Sequence, residues 1–182
     1  PTSFVLSVDT WLLDLRFAWR QDGKKGATLS KVNYFRSTPQ LAGGSQMYLE
    51  FLFNVAEARM THRVLPLQSS TLSANHALLA AGFGVDAVYV DASHSALDVF
   101  IDAEHWWPLV RCGGVMWGDD FFIPSVAQAV TAFAAKHQLQ RHEAMPGEKV
   151  MPREANAWLF VKECPGKPRG ALPTEPWSWE TM

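Results

Sequence analysis

The sequence predicts an α/β fold, a three-layer sandwich on a mostly parallel sheet. Three observations carry this reading. Short apolar, β-rich runs recur at residues 4–8, 63–67, 85–90, 115–117 and 157–161; helical patterns separate most of them; and three runs end in acids, at Asp9, Asp91 and the Asp119-Asp120 pair. Strands alternating with helices at this spacing imply right-handed crossovers and a sheet covered on both faces.

Phe4-Val5-Leu6-Ser7-Val8 is short and apolar and runs into Asp9-Thr10, which suits a buried strand entering a loop. Residues 13–44 lose periodicity, gather Gly, Lys, Ser and Pro39, and read as a long excursion of the kind that forms a lid. Within it the Asp22–Gly26 run reads as a solvated turn. Tyr48, Phe51, Leu52, Val55 and Ala56 share one helical face, and that helix should end near Met60. The strand at residues 63–67 contains Pro66, which marks an edge or an end.

Residues 72–81 form a helix closed by Gly82, and residues 85–90 a strand ending at Asp91. Residues 97–107 are helical, with Leu97, Phe100 and Ile101 on one face and Trp106-Trp107 read as core; His105 falls at a packing boundary. Gly113-Gly114 leads into a strand that ends at Gly118-Asp119-Asp120. Pro124 then opens a helix whose Val126, Val130, Phe133 and Ala134 share a face. Residues 157–161 are the last strand. The tail at 164–182, rich in Pro and Trp, reads as an extended wrap, so the expected organisation is one domain over 1–163 followed by that tail.

Composition narrows the function. With 182 residues, 48% hydrophobic and 19% charged, the chain can bury one sizeable core. A net charge of -2 without a Lys/Arg cluster argues against nucleic-acid binding. No apolar stretch reaches the roughly 18 residues of a membrane span, and no signal region is evident. Cys112 and Cys164 lack zinc-ligand spacing and read as free thiols in a reducing cytoplasm. The chain opens at Pro1 and enters an apolar run almost at once, as if midway through a fold.

In an open α/β sheet, ligands bind outside the carboxyl ends of the strands, where Asp9, Asp91, Asp119 and Asp120 fall. Any one of these acids could instead cap a helix or open a turn. Together they mark a site. His94, three residues past Asp91, could accept a hydroxyl proton near neutral pH, or could simply bond locally.

These residues carry a family resemblance. Ser7-Val8-Asp9-Thr10-Trp11-Leu12 resembles the end of the second strand of class I S-adenosylmethionine-dependent methyltransferases. Leu67-Gln68-Ser69-Ser70 resembles the loop after their third strand. The stretch from Asp86 to His94 is similar to their fourth strand and its loop, and that from Trp106 to Asp120 to the approach to the fifth. The likeness is nearest to the branch holding macrocin-type sugar O-methyltransferases and cephalosporin hydroxylase relatives. It covers about residues 3–139, with Cys112-Gly113-Gly114 where Pro-Gly-Gly is usual.

The resemblance implies a Rossmann-like sandwich, N-terminally incomplete, because the family's central first strand and its Gly-rich loop have no counterpart. Gly82-Phe83-Gly84 precedes a strand, and Gly43-Gly44 lies in the excursion. It implies an enzyme that uses S-adenosyl-L-methionine, held by Asp9, Thr10, Trp11, Gln68, Ser69 and Ser70, to methylate a small-molecule hydroxyl. His94 and Asp91 are the catalytic candidates. Asp91, Asp119 and Asp120 would share a divalent cation, Mg2+, whose preference is for hard oxygen donors. The partner is a small molecule, with no nucleic acid and no membrane, and a homo-oligomer stays open. The alternatives are a truncated or non-catalytic domain that does not bind the cofactor productively, and a hydroxylase relative using a redox metal.

Overall fold

A computed structural model describes residues 3–11, 46–141 and 157–163. These residues gather into two compact units that divide between Ala74 and Asn75. The excursion expected at 13–44, with its Asp22–Gly26 turn and Gly43-Gly44, and the tail expected at 164–182 lie outside the described residues.

The first unit holds β1 (Val5–Asp9), α1 (Gln46–Glu57) and β2 (Val64–Gln68). β1 and β2 pair in parallel, with Ser7 level with Pro66 and Asp9 level with Gln68. The Val5 N–H donates to the Arg63 carbonyl at 2.7 Å and the Ser69 N–H to the Asp9 carbonyl at 3.0 Å. Because backbone groups alternate along a strand, Pro66 then turns its missing donor to the far side of β2, away from the ladder. That is the edge position its sequence suggested. On α1, Tyr48, Phe51, Leu52 and Val55 are half-buried as their spacing requires, while Ala56 is exposed. Trp11, only 4% exposed, packs its ring 4.8 Å from Tyr48 and 5.2 Å from Phe51.

α2 (Thr71–Ala80) crosses from one unit to the other. It closes as expected at Gly82, where the N–H groups of Gly82 and Phe83 bond back to the carbonyls of Leu79 and Leu78. The second unit continues with β3 (Val85–Val90), α3 (Ala96–Trp106), a 3-10 turn (Trp107–Leu109), β4 (Val110–Gly118), α4 (Pro124–His137) and β5 (Trp158–Val161). β3 and β4 are parallel, while β5 runs antiparallel to β4, so this sheet is mixed. The class is α/β, and the described strands form two sheets, β1-β2 and β3-β4-β5.

The second core lies under α3 and α4. Met116, Phe133 and Phe160 are fully buried, and the Phe133 ring stands edge-on to Trp107 at 5.8 Å. Burial of each such side chain contributes about 1.5–3 kcal/mol. α4 buries Val126, Val130 and Phe133 as its periodicity predicts, with Pro124 in its first turn. α3 does not bury the stripe expected of it. Val99, Asp102, Ala103 and Trp106 face inward, while Leu97 is 67% exposed. The i, i+3, i+4, i+7 pattern is present two residues further on, and it was hidden because one of its positions is an aspartate.

Cys112 is disulfide-bonded, so the expectation of a free thiol is overturned. Its neighbour Gly113 has φ +81, and the Gly113 N–H and the Gly114 carbonyl both bond to Lys162. Two residues of β4 thus face one beyond β5, a bulge that needs glycine at its first position. That geometry carries Cys112 alongside the chain leaving β5, and sequence spacing gives no sign of it.

Candidate active site

The polar groups of the second unit converge at the carboxyl ends of β3 and β4. Asp91 follows the last residue of β3, and Asp119 and Asp120 follow the last of β4. Asp120 adopts the left-handed conformation, φ +61, which aspartate tolerates better than most side chains. Its N–H donates to Asp119 Oδ1 at 2.7 Å and its carbonyl accepts from Ile123 at 2.8 Å, so a tight turn fixes the carboxylate. Asp120 Oδ2 lies 2.5 Å from His94 Nε2. A carboxylate only accepts, so Nε2 carries the proton and Nδ1 is left as the basic nitrogen.

The loop bearing His94 is held on several sides. Ser125, in the first turn of α4, donates its hydroxyl to the His94 carbonyl at 2.6 Å. The Ser95 side chain caps α3 by accepting from the Asp98 N–H, and the Ser95 N–H donates to Ser93 Oγ. Asp91, His94 and Asp120 each offer a donor atom within 4.8 Å of the others, a set able to hold a metal ion. Asp119 lines the same small cavity, whose walls include Val99, Val126 and Trp158.

Tyr89 records the charge of this corner. Burial of its phenol, together with the nearby carboxylates of Asp91, Asp119 and Asp120, pushes it up to about 12. It therefore stays a neutral donor, directed at Asp91 Oδ2 at 3.3 Å, with its ring 5.4 Å from Trp117. Tyr89, Ser125 and Trp158 escaped the sequence reading. Tyr89 lies two residues before Asp91, and that spacing is the signal that could have found it, while Ser125 looked like an ordinary residue behind the helix-opening Pro124.

In the first unit the candidates are arranged differently. Asp9 Oδ1 accepts from the Trp11 N–H at 2.7 Å, a local turn in which Trp11 itself has φ +50. Gln68 Nε2 reaches the Thr10 carbonyl at 3.3 Å. Ser70 caps α2, its Oγ accepting from the Ser73 N–H at 3.1 Å. Asp9, Thr10 and Trp11 thus stand together with Gln68 at the ends of paired strands, and Ser69 joins them through the Asp9 carbonyl.

A parallel β-α-β arrangement with acids, a histidine and a cavity at the strand ends is that of a Rossmann-like domain. A family model described as a methyltransferase domain matches residues 6–121, well over half of the chain, and the chain belongs to that family. No curated protein sequence matches it. Among solved structures it is similar to the O-methyltransferase NovP, at TM-score 0.57 and 15% identity, covering 88% of this chain and 60% of that one. It is similar also to an O-methyltransferase from Bacillus cereus in complex with SAH, at TM-score 0.50 and 14% identity, over 65% of this chain and 60% of that one. A third is CalS11, a TDP-rhamnose 3'-O-methyltransferase of calicheamicin biosynthesis, at TM-score 0.50 and 12% identity, over 87% and 58%. The chain spans about 60% of the length of these structures. Among the described residues no helix is long and apolar enough to cross a membrane.

Proposed function

We propose that this chain serves S-adenosylmethionine-dependent O-methylation of a small-molecule hydroxyl. The observation that carries the reading is the His94–Asp120 pair beside Asp91 at the strand ends. Bound cofactor would supply an electrophilic methyl group. His94 Nδ1 takes the proton of the acceptor hydroxyl as the oxygen-methyl bond forms. Asp120 stabilises the resulting imidazolium and fixes the ring. The chain's share is otherwise to hold oxygen and methyl in line. Asp9, Thr10, Trp11, Gln68, Ser69 and Ser70 are proposed to hold the adenosine half of the cofactor, on the family resemblance of those stretches.

Asp91, Asp119 and Asp120 are proposed to hold a divalent cation, magnesium first, since their carboxylates are hard donors suited to it. The cation would supply Lewis-acid polarisation of the acceptor oxygen. Calorimetric titration with Mg2+ should show binding by the wild type and by His94→Gln, and none by Asp119→Asn. Loss of binding in His94→Gln would make the histidine a ligand and not the base. Equal binding by all three would remove the metal from the proposal. Transfer of labelled methyl to a panel of hydroxyl acceptors tests the activity itself.

A second reading, a domain that does not bind the cofactor productively, is favoured by one observation. The described strands form two separate sheets, and no described strand runs into a Gly-rich turn. Backbone contacts to the methionine half, each worth about 0.5–1.5 kcal/mol net, would then be missing among the described residues. Equilibrium dialysis with labelled cofactor separates the readings. Micromolar binding by the 182-residue chain supports the enzyme, and no binding supports the second reading.

A further inference from the structure

The contact between α2 and α3 brings together two histidines that the strand-end site does not use. Asn75, His76 and His105 all lie in the second unit, and the His76 and His105 rings stand 6.1 Å apart between centroids, tilted by 54°. A neighbouring side chain fixes this contact. Asn75 is fully buried, and its Nδ2 donates to the His105 carbonyl at 2.6 Å. Its Oδ1 is buried without a hydrogen-bond partner, a mismatch expected where residues serve binding as well as packing. His105 is held as a metal-binding histidine is. Its Nδ1 lies 2.8 Å from the Ile101 carbonyl. A carbonyl only accepts, so Nδ1 carries the proton and Nε2 presents its lone pair. A backbone carbonyl on one ring nitrogen is a usual partner of a histidine whose other nitrogen ligates an ion, since it fixes both tautomer and ring.

With a metal–nitrogen distance of about 2.0–2.1 Å, the ring centres of two imidazoles on one ion lie about 5.2 Å apart at the tetrahedral angle and about 6.4 Å apart when opposed. The spacing of His76 and His105 falls within that range. His76 is exposed, so a small rotation of its side chain can close the angle, while His105 is half-buried and tied to its own helix. We propose that His76 and His105 form a second metal site, which takes a borderline divalent ion of the zinc class and clamps α2 to α3. Imidazole nitrogens without a carboxylate suit zinc, copper or nickel and not magnesium, whose ligands are oxygens. Water completes the coordination on the exposed side of His76. His105 lies at the far end of α3 from Ser95, about 15 Å along the axis at 1.5 Å per residue, so the ion is separate from the acids at the strand ends.

The test uses the full chain carrying His94→Gln, which removes the imidazole of the strand-end site, with zinc chloride as the probe. In protein with 15N-labelled histidines, zinc should shift the ring signals of His76 and His105 together. Adding His76→Gln, a change at an exposed position, should weaken zinc binding read at the His105 ring by more than about tenfold, the loss seen for even an outer partner of a ligating histidine. Adding His105→Gln should do the same when binding is read at His76. Zinc should also raise the melting temperature of the His94→Gln protein by more than it raises that of either double variant, because only the former has both ligands. Magnesium should move neither ring. The inference fails if zinc shifts only one of the two rings, if His76→Gln leaves the affinity at His105 unchanged, or if magnesium displaces zinc from the pair. In each of those cases the two histidines are packing residues only.

Discussion

The two strand-end corners of this chain carry similar residues and use them differently. At the ends of β1 and β2 the polar groups are spent on their own backbone. Asp9 holds the Trp11 N–H, Gln68 the Thr10 carbonyl and Ser70 the start of α2. At the ends of β3 and β4 they face one another. His94 meets Asp120 across 26 residues of sequence, Tyr89 turns to Asp91, and Trp158 leaves a donor unmatched. Side chains bonded to backbone groups build a platform, which suits binding a group that does not react. Titratable side chains bonded to one another build a place where a proton can move.

The largest effect should come from breaking the second corner. Asp120→Asn removes the carboxylate that orients His94, and methyl transfer should fall by about 10²–10⁴-fold, the usual range for a disabled general base. Its melting temperature should stay close to wild type, since His94 and Asp120 are partly exposed and such pairs contribute only about 0–1 kcal/mol. A large drop in stability with an equal drop in activity would make the pair a structural clasp and erase the contrast with Asp9.

Gly118→Ala tests how tightly that corner is packed. A Cβ there would stand 2.5 Å from the Val90 carbonyl and 2.5 Å from the Trp158 ring, contacts that neither strand can relieve without shifting. We expect a loss of about 1–3 kcal/mol in urea unfolding. A neutral result would show that β4 and β5 separate easily there, and the cavity would then be larger than its walls suggest.

Ser70→Ala asks the converse question of the first corner. If Ser70 is chiefly the cap of α2, the substitution costs about 1 kcal/mol of stability and leaves cofactor affinity unchanged. A fall in cofactor affinity at unchanged stability would show that the platform touches the ligand directly.

Much of this was legible in the sequence, for reasons that differ by element. The β3 strand was readable as a short apolar run ending at an acid, and the α4 face because it obeys one period without interruption. The buried face of α3 was not, since Asp102 occupies an inward position that a hydrophobic pattern counts as solvent. The strand-end acids were readable from topology, as ligands meet parallel sheets there. Which of them meet His94 was not, because the backbone turn at Asp120 decides it. The Cys112 disulfide and the Trp158 donor depend on the register of β4 against β5, and an antiparallel register between distant segments leaves no mark in either one.

The smallest expected effect lies beneath the second corner, where α3 and α4 are joined by Glu104. Its carboxylate accepts from Lys136 Nζ at 2.5 Å and from His137 Nε2 at 2.6 Å. Burial alone would push this carboxyl up, but the two hydrogen bonds and the charges behind them outweigh burial and hold it below the usual carboxylate range. A group whose value is lowered by folding stabilises the fold above its unfolded value, and that contribution is lost as pH falls through the folded value. Glu104→Gln should therefore lower stability by about 0.5–1.5 kcal/mol at pH 7, the net worth of such bonds. The gap between variant and wild type should close on acidification past the carboxylate range, when wild-type Glu104 is protonated too. Melting curves of both proteins from pH 7 down to about pH 3, spanning the ordinary glutamate value, follow it directly. A gap that stays constant with pH would mean that Glu104 acts through its packing and not its charge. The helices under the site would then be joined by their apolar stripes alone, without the ionic link that sets the second corner apart from the first.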